Sequence, residues 1–166
     1  MKKGSFVALT LALTLGYAVP AQAQVWFGPQ LSWGDDFDLA IGGKIGAAIA
    51  TLGSATSNNV DIMGSFDYFF DCEDCSYFEI TGGGLYNFDI GENIGPYAGA
   101  GLNYGRISID EDISGVDLSD SEMGLALMGG LKFLLGTLDA DASARITLGG
   151  AEQAVLSFAI LFGGPR

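Results

Sequence analysis

The sequence predicts an all-β protein, an eight-stranded antiparallel up-and-down transmembrane β-barrel. Three observations predict this fold class: an export signal at the N-terminus, eight segments in which apolar side chains alternate with small or polar ones, and a composition that is acidic and apolar at once. Alternation with a period of two is typical of β-strands, whereas an amphipathic helix repeats every 3.6 residues. The 26 glycines also argue against helices, which glycine destabilises.

The first 23 residues have the features of a secretory signal peptide. Lys2 and Lys3 precede an apolar run over 6–19, and "AQA" at 21–23 is a small-x-small cleavage site. We therefore expect a signal peptide at 1–23 and one mature domain, the barrel, at 24–166. An uncleaved membrane anchor is the alternative.

The mature domain is strongly acidic. The chain has 7 basic and 20 acidic residues, and loss of Lys2 and Lys3 leaves a charge of 5 − 20 = −15. The acids concentrate in three stretches, "GDDFD" (34–38), "DCED" (71–74) and "DEDISGVDLSDSE" (110–122). Without a basic patch to meet phosphates, we do not expect nucleic acid as a partner. Acidic loops combined with apolar strand faces predict outer-membrane lipid as the partner of those faces.

Eight segments alternate strongly enough to be predicted as strands. They are 25–33, 36–51, 59–70, 77–88, 94–109, 122–135, 138–148 and 154–162. Most approach the roughly 9–11 residues that a tilted membrane strand requires, and no internal run reaches the roughly 18 apolar residues of a membrane helix. An even number of strands suits a closed barrel, and closure removes the exposed edges of a sheet.

The two faces of these segments differ in composition. In the segment 94–109, Leu102 and Tyr104 lie on one face, whereas Gly101 and Asn103 lie on the other. Aromatic residues near the segment ends predict girdles at the two membrane interfaces; they are Trp33, Phe37, Tyr68, Phe70, Phe78, Phe88, Tyr104 and Phe162. A soluble sandwich with these aromatics in its core has the same periodicity and is the structural alternative.

Two motifs resemble a known family. "GPYAGAGLNYGRI" at 95–107, followed by "MGGLKFLLG" at 128–136, resembles paired strands of the small bacterial outer-membrane β-barrel proteins, the OmpA/OmpX/opacity-like group. The resemblance implies a location in the bacterial cell outer membrane, with both termini in the periplasm and the acidic connections outside. It implies no particular activity, because barrels of this kind have several roles.

Cys72 and Cys75 are the only cysteines. They flank the predicted tip of a hairpin, where directly opposed strand residues are about 4.5–5.5 Å apart at Cα, a separation that permits a disulfide. We expect a disulfide that fixes the exposed tip. A free or metal-bound pair is the alternative.

Charged residues on the face opposite the apolar one are expected in the barrel lumen. They are Lys44, Asp61, Asp67, Glu79, Lys132, Asp139, Asp141 and Arg145. An eight-stranded barrel is just wide enough for side chains, so we interpret them as paired charges that fill the interior. The alternative is a polar, porin-like conduit.

The stretch 110–122 contains a candidate cation site. Its oxygen ligands would be Asp110, Asp112, Ser114, Asp117, Asp120 and Glu122, spaced in part like a calcium-binding loop. The prediction is weak binding of Ca²⁺ or Mg²⁺ and no other cofactor. The alternative is a solvated loop kept open by repulsion between like charges.

The sequence predicts a protein without enzymatic activity. It has no histidine, which excludes a serine–histidine hydrolase, and only a carboxylate site such as Asp139 with Asp141 remains as a catalytic alternative. We therefore expect a monomeric outer-membrane barrel with acidic surface loops, a structural or surface-interaction role and an unidentified extracellular ligand. The alternative function is a soluble periplasmic ligand-binding barrel of the lipocalin type, in which the apolar faces point inward.

Overall fold

Eight long strands make up nearly all of the chain that can be described. The structure, a computed structural model, describes residues 24–35, 38–51, 58–70, 75–90, 94–109, 118–150 and 152–163. The strands are β1 (Val25–Gly34), β2 (Leu39–Thr51), β3 (Asn59–Phe69), β4 (Cys75–Asn87), β5 (Ile94–Ile109), β6 (Leu118–Leu135), β7 (Leu138–Gly149) and β8 (Gln153–Leu161). In this part of the chain no helix is long and apolar enough to cross a membrane.

The strands form one closed antiparallel barrel. Each strand pairs with its neighbours in sequence, and β8 returns to pair with β1. This up-and-down order confirms the predicted fold class. Closure matters because every strand inside a membrane must find hydrogen-bond partners for its backbone on both sides.

The shortest and the longest connection between strands lie at opposite ends of the barrel. At the end that holds Gln24 and Phe162, strands β6 and β7 are joined by the two-residue turn Gly136–Thr137. Gly136 has a φ of 68°, which glycine adopts without the strain that a side chain would add. At the other end, β5 and β6 are separated by residues 110–117. We name the Gly136 end the periplasmic end and the opposite end the extracellular end, following the orientation that the resemblance implies, with both termini in the periplasm.

The predicted strand boundaries agree with the observed ones within about three residues, except at β6. The sequence analysis began this strand at residue 122, but it begins at Leu118. Residues 118–121 were interpreted as part of an acidic loop because three of the four are polar and acids surround them. They remain extended because they pair with β5, from Arg106–Ser121 to Ile109–Leu118.

The seam where the barrel closes is its shortest ladder. Strands β1 and β8 pair from Gln30–Ala159 to Gly34–Val155, and after a break Phe27 and Phe162 exchange two backbone hydrogen bonds of 3.0 and 2.7 Å. Pro29 lies at the break, where it has no N–H to donate. Next to it, a Cβ on Gly28 would lie 1.8 Å from the carbonyl oxygen of Ile160, so the close approach of the two strands requires glycine.

Candidate functional site

The outer wall of the barrel is a continuous apolar belt. Every strand contributes a large aliphatic side chain that is at least 40% exposed; these are Leu31, Ile45, Ile62, Ile80, Leu102, Leu127, Ile146 and Leu156. Soluble proteins do not expose apolar patches of this extent. The belt is therefore a surface for lipid hydrocarbon, as in membrane barrels.

Aromatic rings border the belt at both ends. Trp33 is 64% exposed at the extracellular end, where the rings of Tyr68 and Phe70 meet edge to face at 5.3 Å. Phe88 and Phe162 are exposed at the periplasmic end. Of the aromatics assigned to the girdles from sequence, Phe37 lies outside the described residues. The others lie on the outer wall, where amphipathic rings suit the headgroup region.

The centre of the barrel is occupied by an arginine between two carboxylates. Arg145 on β7 forms ion pairs with Glu79 on β4 and with Asp67 on β3, the latter at 3.4 Å, and it donates to the hydroxyl of Thr81 at 2.5 Å. Both carboxylates are fully buried, with exposures of 0%. Buried charges persist only when they are paired and hydrogen-bonded, and both carboxylates of this cluster meet that requirement.

Polar neighbours complete the coordination of the two carboxylates. Asp67 accepts hydrogen bonds from the amide of Gln30 and the hydroxyl of Ser32, both at 2.6 Å. Glu79 accepts from the hydroxyl of Tyr77 at 2.7 Å and from the amide of Asn103 at 3.1 Å. These donors come from three different strands, so the cluster connects opposite walls of the barrel.

A second ion pair lies closer to the periplasmic end. The Nζ of Lys44 on β2 is 2.6 Å from Asp141 on β7 and donates to Ser143 at 3.1 Å. The side chains of Lys44 and Asp141 are 4% and 1% exposed. The hydroxyl of Tyr97 bonds to Asp141 and Ser143 from a third strand. The lumen is thus filled at this level too, and the adjoining cavity, which extends beside Arg145, has a volume of only about 20 Å³.

A third ion pair lies near the periplasmic mouth. Lys132 is 2.8 Å from Asp61, and Asp61 also accepts from the indole N–H of Trp26 at 3.1 Å. The ammonium of Lys132 lies over the rings of Trp26 and Tyr97, at 4.6 and 5.5 Å from their centroids. The faces of aromatic rings attract cations, so both rings stabilise the charged Lys132 side chain. The Lys132 side chain is 24% exposed, so this pair is the most accessible of the three.

A cavity of about 240 Å³ opens beside this pair. Asp139 and Lys132 are among its lining residues. Asp139 faces the cavity without an ion-pair partner among the described residues. The cavity ends inside the barrel at Trp26 and Leu161, which belong to a buried apolar cluster with Leu85 and Met128.

An apolar layer also covers the extracellular side of the central cluster. Phe69, Tyr77 and Val155 are buried there, and the rings of Phe69 and Tyr77 are 5.4 Å apart. The interior is therefore a stack of apolar and ion-paired layers along the barrel axis. Such a stack seals the lumen rather than leaving a continuous aqueous path.

The structure places all eight charges predicted for the lumen on the inward face, and it brings seven of them into ion pairs. Asp139 is the eighth. The sequence analysis did not single out Trp26, Tyr97, Gln30 and Asn103 as part of the interior network. Their inward position follows from the same alternation, but the aromatic pattern was interpreted only for the lipid side.

Several predictions concern residues that the structure does not describe. The signal peptide at 1–23 and the side chains of Cys72 and Cys75 lie outside the described residues, as do Asp110, Asp112, Ser114 and Asp117 of the candidate cation site. The two remaining members of that site, Asp120 and Glu122, are exposed and belong to strand β6.

The alternative function, a lipocalin-type barrel, is not favoured by this arrangement. Its apolar faces would surround a ligand, whereas the apolar faces of this chain point outward and its lumen contains charges. The soluble sandwich is wrong as well, because one sheet closes on itself.

Several solved structures share the fold. The chain resembles the N-terminal β-barrel domain of Pseudomonas aeruginosa OprF (21% identity, 85% of this chain and 100% of that one, TM-score 0.62). It also resembles Ail, the attachment invasion locus protein of Yersinia pestis (17%, 84% and 97%, TM-score 0.61), and Neisserial surface protein A (18%, 84% and 95%, TM-score 0.55). No protein-family model matches the sequence, and no curated protein matches it.

These likenesses agree with the structure itself. The closed eight-stranded order, the apolar belt and the similarity to OprF, Ail and Neisserial surface protein A all support the predicted location in the bacterial outer membrane. The chain has the fold of the small eight-stranded outer-membrane β-barrels, the group that its motifs resemble.

Proposed function

We propose that the protein is a non-enzymatic, monomeric outer-membrane barrel that anchors an acidic, open-edged β-sheet at the cell surface. The observation that carries this proposal is the length of the β5–β6 hairpin. Strand β6 pairs with β7 only as far as Gly124–Gly149, but its pairing with β5 continues for six further residue pairs, to Ile109–Leu118. We call residues 75–77, 104–109 and 118–123, which lie on β4, β5 and β6, the extracellular sheet.

The β6 edge of the extracellular sheet has no strand beside it among the described residues. The N–H of Ser121 donates to the carboxylate of Asp120 at 2.8 Å rather than to a neighbouring strand. An open edge presents backbone groups to which an extended segment of another protein can add as a further strand. Asp120 and Glu122 supply the acidic character of this surface.

The sealed interior supports a structural rather than a transport or catalytic role. The buried ion pairs leave no wide lumen, and the carboxylates of the central cluster are occupied by donors. Ser143 accepts a hydrogen bond from Lys44, but the Lys44 ammonium is also ion-paired with Asp141 and therefore does not act as a base for the serine hydroxyl. Labelled lipopolysaccharide incubated with the purified protein should therefore remain chemically unchanged, and any modification would contradict the proposal.

Whole-cell labelling tests the surface display directly. In a Cys72→Ser/Cys75→Ser background, Ser119→Cys should react on intact cells with a membrane-impermeant maleimide. The matched control is Thr137→Cys in the periplasmic turn, which should react only after the outer membrane is permeabilised. Labelling of Thr137→Cys but not of Ser119→Cys on intact cells would invert the orientation and remove the proposal.

A substitution at the edge tests the interaction role. Ser119→Pro removes a backbone donor from the β6 edge, and proline blocks the addition of a strand there. Cells that display this variant should adhere to host cells or matrix more weakly than cells that display Ser119→Ala. Equal adhesion of the two variants and of cells without the protein would contradict a role in surface interaction.

A further inference from the structure

The outward face of the extracellular sheet carries an arginine surrounded by hydroxyl groups. Arg106 on β5 lies opposite Phe78 on β4 and Ser121 on β6. One row farther from the membrane, Ser108 lies between Ser76 and Ser119. Four serines and one arginine therefore share one surface directly above the lipid belt, and we call these five residues the hydroxyl–arginine patch.

The charge of this patch differs from that of its surroundings. Of the basic residues of the mature chain, Lys44, Lys132 and Arg145 point into the lumen, and Arg166 lies outside the described residues. Arg106 is thus the one basic side chain on the outer wall of the described barrel. No carboxylate of the described residues lies within 4.0 Å of its guanidinium.

The two faces of β6 separate opposite charges. Asp120 and Glu122 alternate with Ser119 and Ser121, so the acids lie on the face that continues the lumen wall. The serines lie on the face that continues the lipid belt. Arg106 shares this second face, and its five guanidinium donors remain available to a ligand from the membrane side.

The height of the patch matches the boundary between hydrocarbon and headgroups. The row below Arg106 consists of Ile80, Tyr104 and Met123. Phe78 and Tyr104 form part of the aromatic girdle, with ring centroids 6.3 Å apart. Aromatic girdles mark the membrane interface, so the guanidinium lies at the level where lipid headgroups begin.

Below the patch, the belt offers a shallow groove. The outward positions on β4 and β5 are occupied there by small residues, Gly82, Gly84, Ala98 and Ala100. A Cβ built on Gly82 would meet nothing within 4 Å, so the space over this glycine is open. An acyl chain fits such a groove between the larger side chains of Ile80 and Leu102.

We propose that the hydroxyl–arginine patch binds a phosphate group of lipopolysaccharide, with an acyl chain of the same molecule in the groove below. A guanidinium pairs with phosphate through two parallel hydrogen bonds, and the serine hydroxyls supply further donors. The patch lies at the extracellular end, and the outer leaflet there consists of this glycolipid. This inference concerns the membrane side of the sheet and goes beyond the proposed surface role.

Native mass spectrometry of the folded mature chain in detergent tests the inference. The probes are lipid A with two phosphates, lipid A without phosphate, and phosphatidylglycerol. The unaltered protein should retain bis-phosphorylated lipid A in preference to the other two. Arg106→Ala should bind it about tenfold more weakly or worse, the loss expected for a charge-assisted hydrogen bond. Ser108→Ala/Ser119→Ala should weaken binding several-fold.

The matched control is Thr137→Asp, which changes the net charge by the same −1 as Arg106→Ala but lies in the periplasmic turn. It should bind lipid A like the unaltered protein. Heat-modifiability on a gel establishes that each variant is folded. Equal binding by Arg106→Ala, or equal retention of dephosphorylated lipid A, would overturn the phosphate site. Equal retention of phosphatidylglycerol would overturn the assignment to lipopolysaccharide. The inference rests on the orientation of the proposed function, which the whole-cell labelling tests; binding in detergent is measured without reference to orientation, so failure of one test is distinguishable from failure of the other.

Discussion

Replacement of Arg145 by methionine should strongly destabilise the barrel. The substitution keeps an elongated side chain but removes the only cation of the described residues that contacts Asp67 and Glu79, both of which are 0% exposed. Breaking a buried ion pair by removing one partner typically costs about 3–5 kcal/mol, because the remaining charge is buried without compensation. Two carboxylates are stranded here, so we expect a loss at the upper end, about 4–5 kcal/mol.

The assay is equilibrium unfolding in urea, in detergent micelles free of lipopolysaccharide, followed by tryptophan fluorescence. The matched control is Arg106→Met, an exposed arginine without an ion pair, which should change the free energy of unfolding by less than about 0.5 kcal/mol. Adding Asp67→Asn and Glu79→Gln to Arg145→Met should recover much of the loss, because the stranded charges disappear. A loss below about 1 kcal/mol for Arg145→Met alone would refute the reasoning that the cluster is a paired, buried unit.

Three further predictions follow from individual contacts. Lys44→Met should lower the free energy of unfolding by about 3 kcal/mol, more than Lys132→Met, because the Lys44 pair is buried whereas Lys132 is 24% exposed. The same urea titrations measure both variants. Equal losses would contradict the argument that burial sets the size of the effect. Gly28→Ala should prevent barrel closure, since its Cβ would overlap the carbonyl of Ile160, whereas Gly82→Ala should fold normally. The migration of unboiled samples on a gel distinguishes a folded from an unfolded variant. A folded Gly28→Ala barrel would show that β1 and β8 can move apart at this position. Leu127→Arg in the lipid belt should lower the free energy of unfolding in bilayers by about 2–4 kcal/mol. Leu127→Ala is its control. A smaller loss for Leu127→Arg than for Leu127→Ala would show that this face does not contact hydrocarbon.

Most of the fold was predictable from the sequence because each strand has one strongly apolar face. The alternation of Leu102 and Tyr104 with Gly101 and Asn103 indicates both the strand and its two sides, and the structure retains that division. The start of β6 was not predictable, because Ser119, Asp120 and Ser121 are as polar as the residues of a loop. Only the register with β5 keeps those residues extended.

The partners within the lumen were less predictable than its members. Alternation assigns Lys44 and Asp141 to the interior, but they are 97 positions apart and lie on strands that are not adjacent. Which acid meets which base depends on the stagger of all eight strands around the barrel. Trp26 shows the same limit, since its indole lies inside the barrel and hydrogen-bonds Asp61, although a terminal aromatic residue is more typical of the lipid interface.

The most direct test of the central claim, a closed barrel embedded in the outer membrane, is cell fractionation combined with electrophoresis before and after boiling. The apolar belt requires lipid or detergent, and the closed, ion-paired barrel should resist unfolding in the gel until it is heated. We expect the protein in the outer-membrane fraction, with different migration of the unboiled and boiled samples. Recovery of the protein from the periplasm without detergent, with one migration in both states, would contradict the account.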